Sequence, residues 1–290
     1  MTDGSTIGSL ASDGKPRSFL VTGGTGFVGR QIVRHLLDRG FQVTVTSRDD
    51  GKARHVDERV HAVRRTTDLF SEPLERLMQL VEGCDTVIHC AWCSDRADYL
   101  SSPLNIACLE GSVRLARACA TTGGARFVGM GTCAEYEHSA GTLATSTPLR
   151  PTSLYAASKA AAFLVLSSLL PPLGVRFTWC RLFYLFGEGE RADRLIPMVR
   201  RHLEQGIPVP LTEGSQIRDF LDVAEAGRLI VQAATEGLDG PLNICSEIGI
   251  SVRSLVEAVA DEYGRRDLLR FGERTLGPFD PPFIVGKRHA

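Results

Sequence analysis

The chain has 290 residues, 43% of them hydrophobic, and its 33 basic and 34 acidic side chains leave a formal net charge of −1. That length accommodates one large domain, or a large domain with a smaller lobe. No long basic run breaks the charge balance, so a nucleic-acid partner is not indicated.

Residues 1–17 read as a disordered tail, polar and rich in glycine and serine. They lack the basic start and apolar core of a signal peptide. Residues 18–22 predict a strand and about 27–39 a helix, with Val28, Ile32, Val33, Leu36 and Leu37 on one stripe and Gly40 ending it. Between them lies the cluster Thr22-Gly23-Gly24-Thr25-Gly26-Phe27-Val28-Gly29. Strand, tight glycine turn and helix in that order can seat a pyrophosphate on Gly23, Thr25, Gly26, Phe27, Val28 and Gly29. The glycines let backbone approach the phosphates, and the helix amino end offers free N–H groups. The spacing Gly23-x-x-Gly26-x-x-Gly29 is one residue longer between its first pair than the usual dinucleotide fingerprint. A turn that uses glycine only for its positive φ would look the same.

Phe41 to Thr46 predicts the second strand, closed by Ser47-Arg48-Asp49-Asp50. An acidic residue here would hold the adenosine ribose hydroxyls of NAD. Ser47 and Arg48 come first and suit a ribose 2′-phosphate, which favours NADP(H) and leaves NAD(H) as the alternative. A merely solvated Arg48, or Asp49 or Asp50 turned inward, competes with that reading. Val60–Val63 predicts a third strand followed by Asp68-Leu69, Leu74–Val81 a helix, and Thr86–Ala91 a fourth strand. The carboxyl end of that strand should face the cofactor. His89 sits within its apolar run and reads as a core histidine. Trp92 either lines the pocket mouth or covers core.

Leu104–Cys119 predicts a long helix, Ala125–Met130 the fifth strand, about Ser153–Leu169 another helix, and Val175–Leu182 the sixth strand. This alternation predicts an α/β fold, a Rossmann-type doubly wound parallel sheet with right-handed crossovers. The dinucleotide-binding part spans mainly 18–183. Residues 184–290 form a smaller C-terminal substrate-binding lobe, with some elements returning to the main sheet. Helices are expected at about 193–204, within 219–234 and over 251–263, and short strands at 207–211 and 242–245. The end, 264–290, reads as a substrate-covering segment or a loose tail.

Eight cysteines are scattered through the chain, and Cys90-x-x-Cys93 is not matched by a second pair. They read as packed thiols in a reducing compartment, with no metal site. No run reaches membrane-spanning length, so a soluble cytoplasmic protein without a membrane partner is expected.

Tyr155-Ala-Ala-Ser-Lys159 puts a phenol and an ammonium one turn apart on an otherwise apolar helix. A tyrosine can exchange a proton with a carbonyl or hydroxyl, and a nearby lysine favours its phenolate. Thr132, at a strand end, can bond the same substrate oxygen. An ordinary amphipathic helix with a surface lysine is the bland alternative.

On these motifs the chain resembles the extended short-chain dehydrogenases/reductases, the NAD(P)-dependent epimerase/dehydratase family. The resemblance runs over roughly 18–265 and adds His89-Cys90-Ala91, Arg181-Leu-Phe183-Tyr-Leu-Phe-Gly187 and Arg218-Asp219-Phe220-Leu221-Asp222-Val223. It implies Tyr155 as acid/base, Lys159 on the nicotinamide ribose and Thr132 on the reacting oxygen. It also implies Asp68 and Leu69 at adenine, Ala91 and Trp92 near the cofactor, and Phe183 and Tyr184 beside nicotinamide and substrate. Arg218 matches a residue on a sugar-nucleotide diphosphate, and the two long helices match a homodimer interface.

Two departures bear on the reaction. Cys108 stands where the family often has asparagine, with Asn105 one turn earlier. The Asp-Glu pair of the family's dehydratases is replaced by Cys133-Ala134, with Glu135 one place late, so dehydration is not expected. The chain resembles nucleotide-sugar 4-ketoreductases, which implies NADPH-dependent reduction of a nucleotide-activated 4-keto-6-deoxyhexose. An NAD-dependent 4-epimerase is the alternative, and a non-catalytic NADP(H)-binding protein the reading from another class.

Overall fold

The computed structural model describes residues 17–48, 51, 56–93, 98–277 and 280–288. The expected tail up to residue 16 and the inward-turning alternative at Asp49 and Asp50 lie outside the described residues.

β1 (Ser18–Thr22) is wholly buried, and the glycine turn delivers it into α1 (Phe27–Asp38). β2 (Gln42–Ser47), β3 (Ala62–Arg65), α2 (Leu74–Val81), β4 (Thr86–His89), α3 (Leu104–Thr121) and β5 (Arg126–Thr132) follow. A short β6 (Thr142–Leu143) leads to α4 (Leu154–Leu169), where the Ser153 hydroxyl accepts from the Ala156 N–H at 3.2 Å. Such a cap satisfies a donor that the helix itself leaves free. β7 (Arg176–Leu182), β8 (Tyr184–Phe186), α5 (Leu195–Gln205), β9 (Val209–Pro210) and β10 (Ile217–Asp222) come next. α6 (Val223–Glu236) is capped by Asp222, which accepts from the Ala224 N–H at 2.8 Å. β11 (Gly240–Ile244), β12 (Gly249–Ser251), α7 (Val252–Tyr263), β13 (Leu269–Arg270) and β14 (Phe283–Gly286) complete the described chain.

The main sheet is seven-stranded and parallel, in the order β11-β7-β5-β4-β1-β2-β3. One face carries α1 and α6, whose Ile32, Leu36, Ile230 and Val231 join the strand residues in one core. The other face carries α2, α3 and α4, with Leu77, Leu115 and Leu166 against Leu20, Val87 and Phe127. Each such buried apolar side chain contributes about 1.5–3 kcal/mol relative to exposure. A separate core joins α5, α7 and β9, through Val199, Leu203, Val209, Val256 and Val259.

Residues after 183 are shared between these bodies. β11 pairs with β7 at the main-sheet edge, and α6 packs on α1. The helix expected within 219–234 starts only at Val223, because Ile217–Asp222 pairs as a strand with its neighbours and Asp222 serves as the cap. The strand expected over 207–211 shrinks to Val209–Pro210. The chain end is not loose where it is described: β14 pairs in parallel with both β10 and β6.

One expectation needs correction. Leu154–Leu173 is long and apolar enough to cross a membrane by length and composition. In the fold this stretch is α4 and the turn after it. Its inner face packs on β5, β7 and α3 and buries a lysine, Lys159.

β5 ends at Thr132, and a 3₁₀ turn over Cys133–Glu135 rolls the chain back toward the core. Glu135 thus leaves the cleft by a turn rather than by alternation along a continuing strand. Its fully buried carboxylate accepts from the Thr132 N–H at 2.8 Å, from the Trp179 indole N–H at 3.1 Å and from Arg181 Nε at 2.7 Å. Removing one partner of a buried ion pair strands the other charge and costs about 3–5 kcal/mol. Glu135→Ala is therefore expected to lower unfolding free energy by about that amount in a denaturant titration. A loss under about 1 kcal/mol would show that the pair does not anchor the strand end.

Candidate active site

The carboxyl ends of the parallel strands open into one cleft of ≈ 1160 Å³. The glycine turn forms one wall. Gly23 takes φ +68°, and its carbonyl accepts from the Gly26 N–H at 2.9 Å, closing the turn. A Cβ on Gly23 would lie 2.8 Å from the Ala91 nitrogen, and one on Gly29 would overlap the Gly23 carbonyl. Only glycine lets strand, helix and the end of β4 meet this closely. The α1 amino end carries no side-chain cap, so its N–H groups face the cleft free for an anion. Arg30 and Arg34 stand on the same wall.

The next wall is formed by Ser47, buried at the end of β2, and exposed Arg48, with Thr66, Asp68 and Leu69 beside them. Asp57 also reaches this wall. Hydrogen bonds from Arg59, at 2.7 Å between side chains, pull its carboxyl down to about 2. Among the described residues Arg48 makes no ion pair.

Thr132, Tyr155, Ala91, Trp92, Phe183 and Tyr184 gather at the other end of the cleft. Tyr155 sits in the first turn of α4, with its phenol group deep in the wall. Tyr99 packs edge-on at 5.1 Å between ring centroids and Trp92 at 6.4 Å. Burial raises the Tyr155 pKa above its ordinary value, and a hydrogen bond with Thr132 opposes the rise. Lys159 is buried one turn later, and loss of solvation pulls its pKa down to about 7. Its ammonium donates to the Met130 carbonyl at 2.7 Å and lies 3.7 Å from the Trp92 ring centroid. Trp92 lines the cleft, and Lys159 lies buried behind its ring.

His89 is a core histidine, as its setting in the strand implied. Its Nε2 meets the Ser112 hydroxyl at 2.8 Å and its Nδ1 the Thr22 hydroxyl at 2.7 Å. Ser112 gives its one proton to the Cys108 carbonyl at 2.6 Å, so Nε2 carries the ring hydrogen and Nδ1 accepts. Burial holds the ring neutral, with its pKa lowered to about 3.

Arg218 does not reach the main cleft. It is buried at the wall of a second cavity of ≈ 330 Å³, which shares Tyr184 and Arg194 with the first. Its guanidinium donates to the Ile217 carbonyl at 2.7 Å and the Pro281 carbonyl at 2.5 Å, and pairs with Asp280. The segment after β5 contributes Cys133, Ala134 and His138 to the cleft. Burial pushes the Cys133 thiol up to about 12, so it stays protonated. All eight cysteines are free thiols.

Sequence reasoning missed Tyr99, His138, Arg191 and Arg194, which loops bring to the cleft without any periodic signal. It located Asn105 but not its work. The fully buried amide accepts from the Trp92 indole N–H at 2.8 Å and donates to the Tyr99 carbonyl at 2.7 Å and the Ser102 carbonyl at 2.9 Å. Cys108, at the position expected for asparagine, is turned to Cys93 instead.

A family model described as NAD dependent epimerase/dehydratase family matches residues 19–245. A dTDP-6-deoxy-L-talose 4-dehydrogenase (NAD(+)) of Aggregatibacter actinomycetemcomitans is 24% identical over 93% of this chain and 100% of its own. A dTDP-glucose 4,6-dehydratase of Streptomyces griseus is 33% identical over 84% of this chain and 78% of its own. Among solved structures, MoeE5 in complex with UDP-glucuronic acid and NAD superposes with TM-score 0.79 at 25% identity, covering 93% of this chain and 90% of that one. The seven-stranded parallel sheet agrees with these likenesses. The chain belongs to the NAD-dependent epimerase/dehydratase family, enzymes that act on nucleotide sugars.

Proposed function

We propose that this enzyme reduces the 4-keto group of a nucleotide-activated 4-keto-6-deoxyhexose, with NADPH as the hydride donor. One observation carries the reading. Tyr155 and Thr132 face the cleft together, while the first carboxylate after Thr132 in sequence, Glu135, is buried among Trp179 and Arg181. Removal of water needs an acid and a base at the sugar, and Cys133 and Ala134 offer neither. Hydride exchange at a ketone needs only a proton donor and an aligned oxygen.

The reduced nicotinamide, when bound, supplies the hydride to the carbonyl carbon. Tyr155 delivers the proton to the oxygen, and its raised pKa keeps the phenol loaded at neutral pH. The Thr132 hydroxyl shares the developing negative charge. The Cys133 thiol and the Ala134 methyl suit a wall against a deoxygenated carbon better than against a hydroxyl. The Aggregatibacter relative, named for oxidation at C4 of a 6-deoxy sugar, supports the same carbon and the reverse direction. NADPH is put first because Ser47 and Arg48 share the wall at the end of β2. A 4-epimerase with resident NAD is the second reading, favoured by the Asp57 carboxylate on that wall. We also propose a cytoplasmic homodimer, in keeping with the eight free thiols. Leu104 and Ile106 on α3 and Leu164 and Val165 on α4 are 42–57% exposed, and the two helices pack side by side as one apolar face.

Incubation with NADPH and a panel of nucleotide 4-keto-6-deoxyhexoses is expected to consume NADPH with at least one of them. Inversion of the 4-hydroxyl of a sugar nucleotide that carries no keto group, with no net NADPH use, would establish the epimerase instead. Arg48→Ala should raise KM for NADPH about tenfold while leaving that for NADH nearly unchanged. Equal effects on both would exclude the 2′-phosphate contact. Tyr155→Phe is expected to cut kcat by roughly 10²–10⁴ with cofactor affinity retained. Full turnover in that variant would remove Tyr155 from the mechanism. Sedimentation should give twice the 31.5 kDa chain mass, and a monomer at micromolar concentration would count against the helix-face dimer.

A further inference from the structure

The turn after β5 that takes Glu135 out of the cleft brings His138 to it. Glu135 and Tyr136 go into the core. Glu137 is tied down by its N–H on the Pro148 carbonyl at 2.8 Å and by its carboxylate on Arg150 at 2.9 Å. Of the ionisable side chains over 134–140, His138 is therefore the one that borders the cleft.

The hydrogen on its ring can be placed. Nε2 lies 3.2 Å from the Cys133 carbonyl oxygen, which can only accept, so Nε2 carries the proton. Nδ1 is then a lone-pair acceptor. It has no partner among the described residues and is not shut away from the space beside it. Burial lowers the pKa from the ordinary histidine value, against the Cys133 bond and with help from the Arg218 guanidinium. A base weakened in this way accepts a hydrogen bond without taking the proton.

The ring also sits at the reacting end of the cleft. Cys133, whose carbonyl holds it, follows Thr132 directly and packs with Phe183 in a small core that Tyr184 abuts. The inference rests on the reading of this cleft as the seat of a 4-keto-6-deoxyhexose. On such a sugar C1 carries the phosphate, C4 the keto oxygen on Tyr155 and Thr132, and C6 no oxygen. The hydroxyls left to be recognised are those at C2 and C3, and each is a donor in search of an acceptor.

We propose that His138 is a specificity-determining residue: its free Nδ1 accepts a hydrogen bond from the C2 or C3 hydroxyl of the bound sugar, so the enzyme prefers sugars that keep that hydroxyl. A site built to pair with a substrate hydroxyl rejects the analogue that lacks it, because its own polar group is then left unpaired.

The test is calorimetric binding to the full chain, with dTDP-glucose and UDP-glucose as probes and free dTDP and UDP as references. For the nucleotide that binds more tightly, His138→Ala should weaken the sugar nucleotide about tenfold and leave the free diphosphate unchanged. His138→Asn sets an amide oxygen where Nδ1 stood and should recover most of that loss. His138→Gln reaches the Nε2 position, keeps the bond to Cys133 and loses the acceptor, so it should bind as the alanine variant does. The 2-deoxy and 3-deoxy sugars separate the two hydroxyls. One of them should bind the native chain about tenfold less tightly than its parent sugar, and bind His138→Ala as well as the parent does. Recovery by glutamine but not by asparagine would show that the imidazole only props Cys133, and overturns the proposal. Equal losses for sugar nucleotide and free diphosphate overturn it as well, as does a native chain indifferent to both deoxy sugars. A fall in kcat at unchanged affinity would make His138 a proton carrier and overturn its role as a hydroxyl reader. A native chain that shows these binding differences but reduces no keto sugar would count against the reduction reading alone.

Discussion

The geometry of the cleft depends on one buried carboxylate. Glu135 holds the Thr132 N–H, the Trp179 indole and Arg181 at once, and so sets where β5 stops. Arg181 donates onward to the Tyr136 hydroxyl at 3.0 Å, which donates to Asn243 at 2.7 Å. Asn243 in turn donates to the carbonyls of Leu143 and Lys287. A chain of bonded polar groups thus runs from the end of β5 through β7 and β11 to the last described strand. Burying such charges is costly unless nearly every partner is present, and here only Arg181 Nη2 lacks one. The reward is position: Thr132 emerges at the cleft wall beside Tyr155 with no freedom to slide.

Close to that fixed point several titrating groups are held in their uncharged forms. His89 is neutral, the Cys133 thiol is protonated, and Tyr155 keeps its proton well above neutral pH. A site of this kind suits proton donation to an oxygen that is gaining charge, because few competing charges blur the field. Elimination of water would need a second titrating group at the sugar, and neither Cys133 nor Ala134 supplies one. The replacement of acidic side chains by Cys133 and Ala134, and the turning of Glu135 into the core, are two sides of one change. The position that could hold a catalytic acid has become apolar wall, and the nearest acid has become structural.

Much of this was legible in the residues alone. The glycine turn, the alternation of strand and helix and the pair at Tyr155 and Lys159 are local patterns. Backbone sterics and helix periodicity act over a few residues, so the strand–turn–helix start and the fold class read correctly without a structure. That Ser47, Arg48, Asp68 and Leu69 share one wall of the cleft was also legible, since strand ends in a parallel sheet all point to one side. Arg218 read less well. Its neighbours in sequence say that it lies on a strand, but only the fold shows Asp280 and the Pro281 carbonyl arriving from far along the chain to occupy it.

What the sequence determined by itself was the class of fold, the glycine turn and the chemical types in the cleft, because each follows from spacing along one or two elements. Only the tertiary structure decided which of those groups face the cleft. Glu135 turns inward because a 3₁₀ turn and two distant β7 side chains receive it. Lys159 is covered because Asn105, on another helix, fixes an indole over it. Both outcomes are set by contacts between segments far apart in the chain, and burial and hydrogen bonding among such segments leave no periodic trace in either one alone.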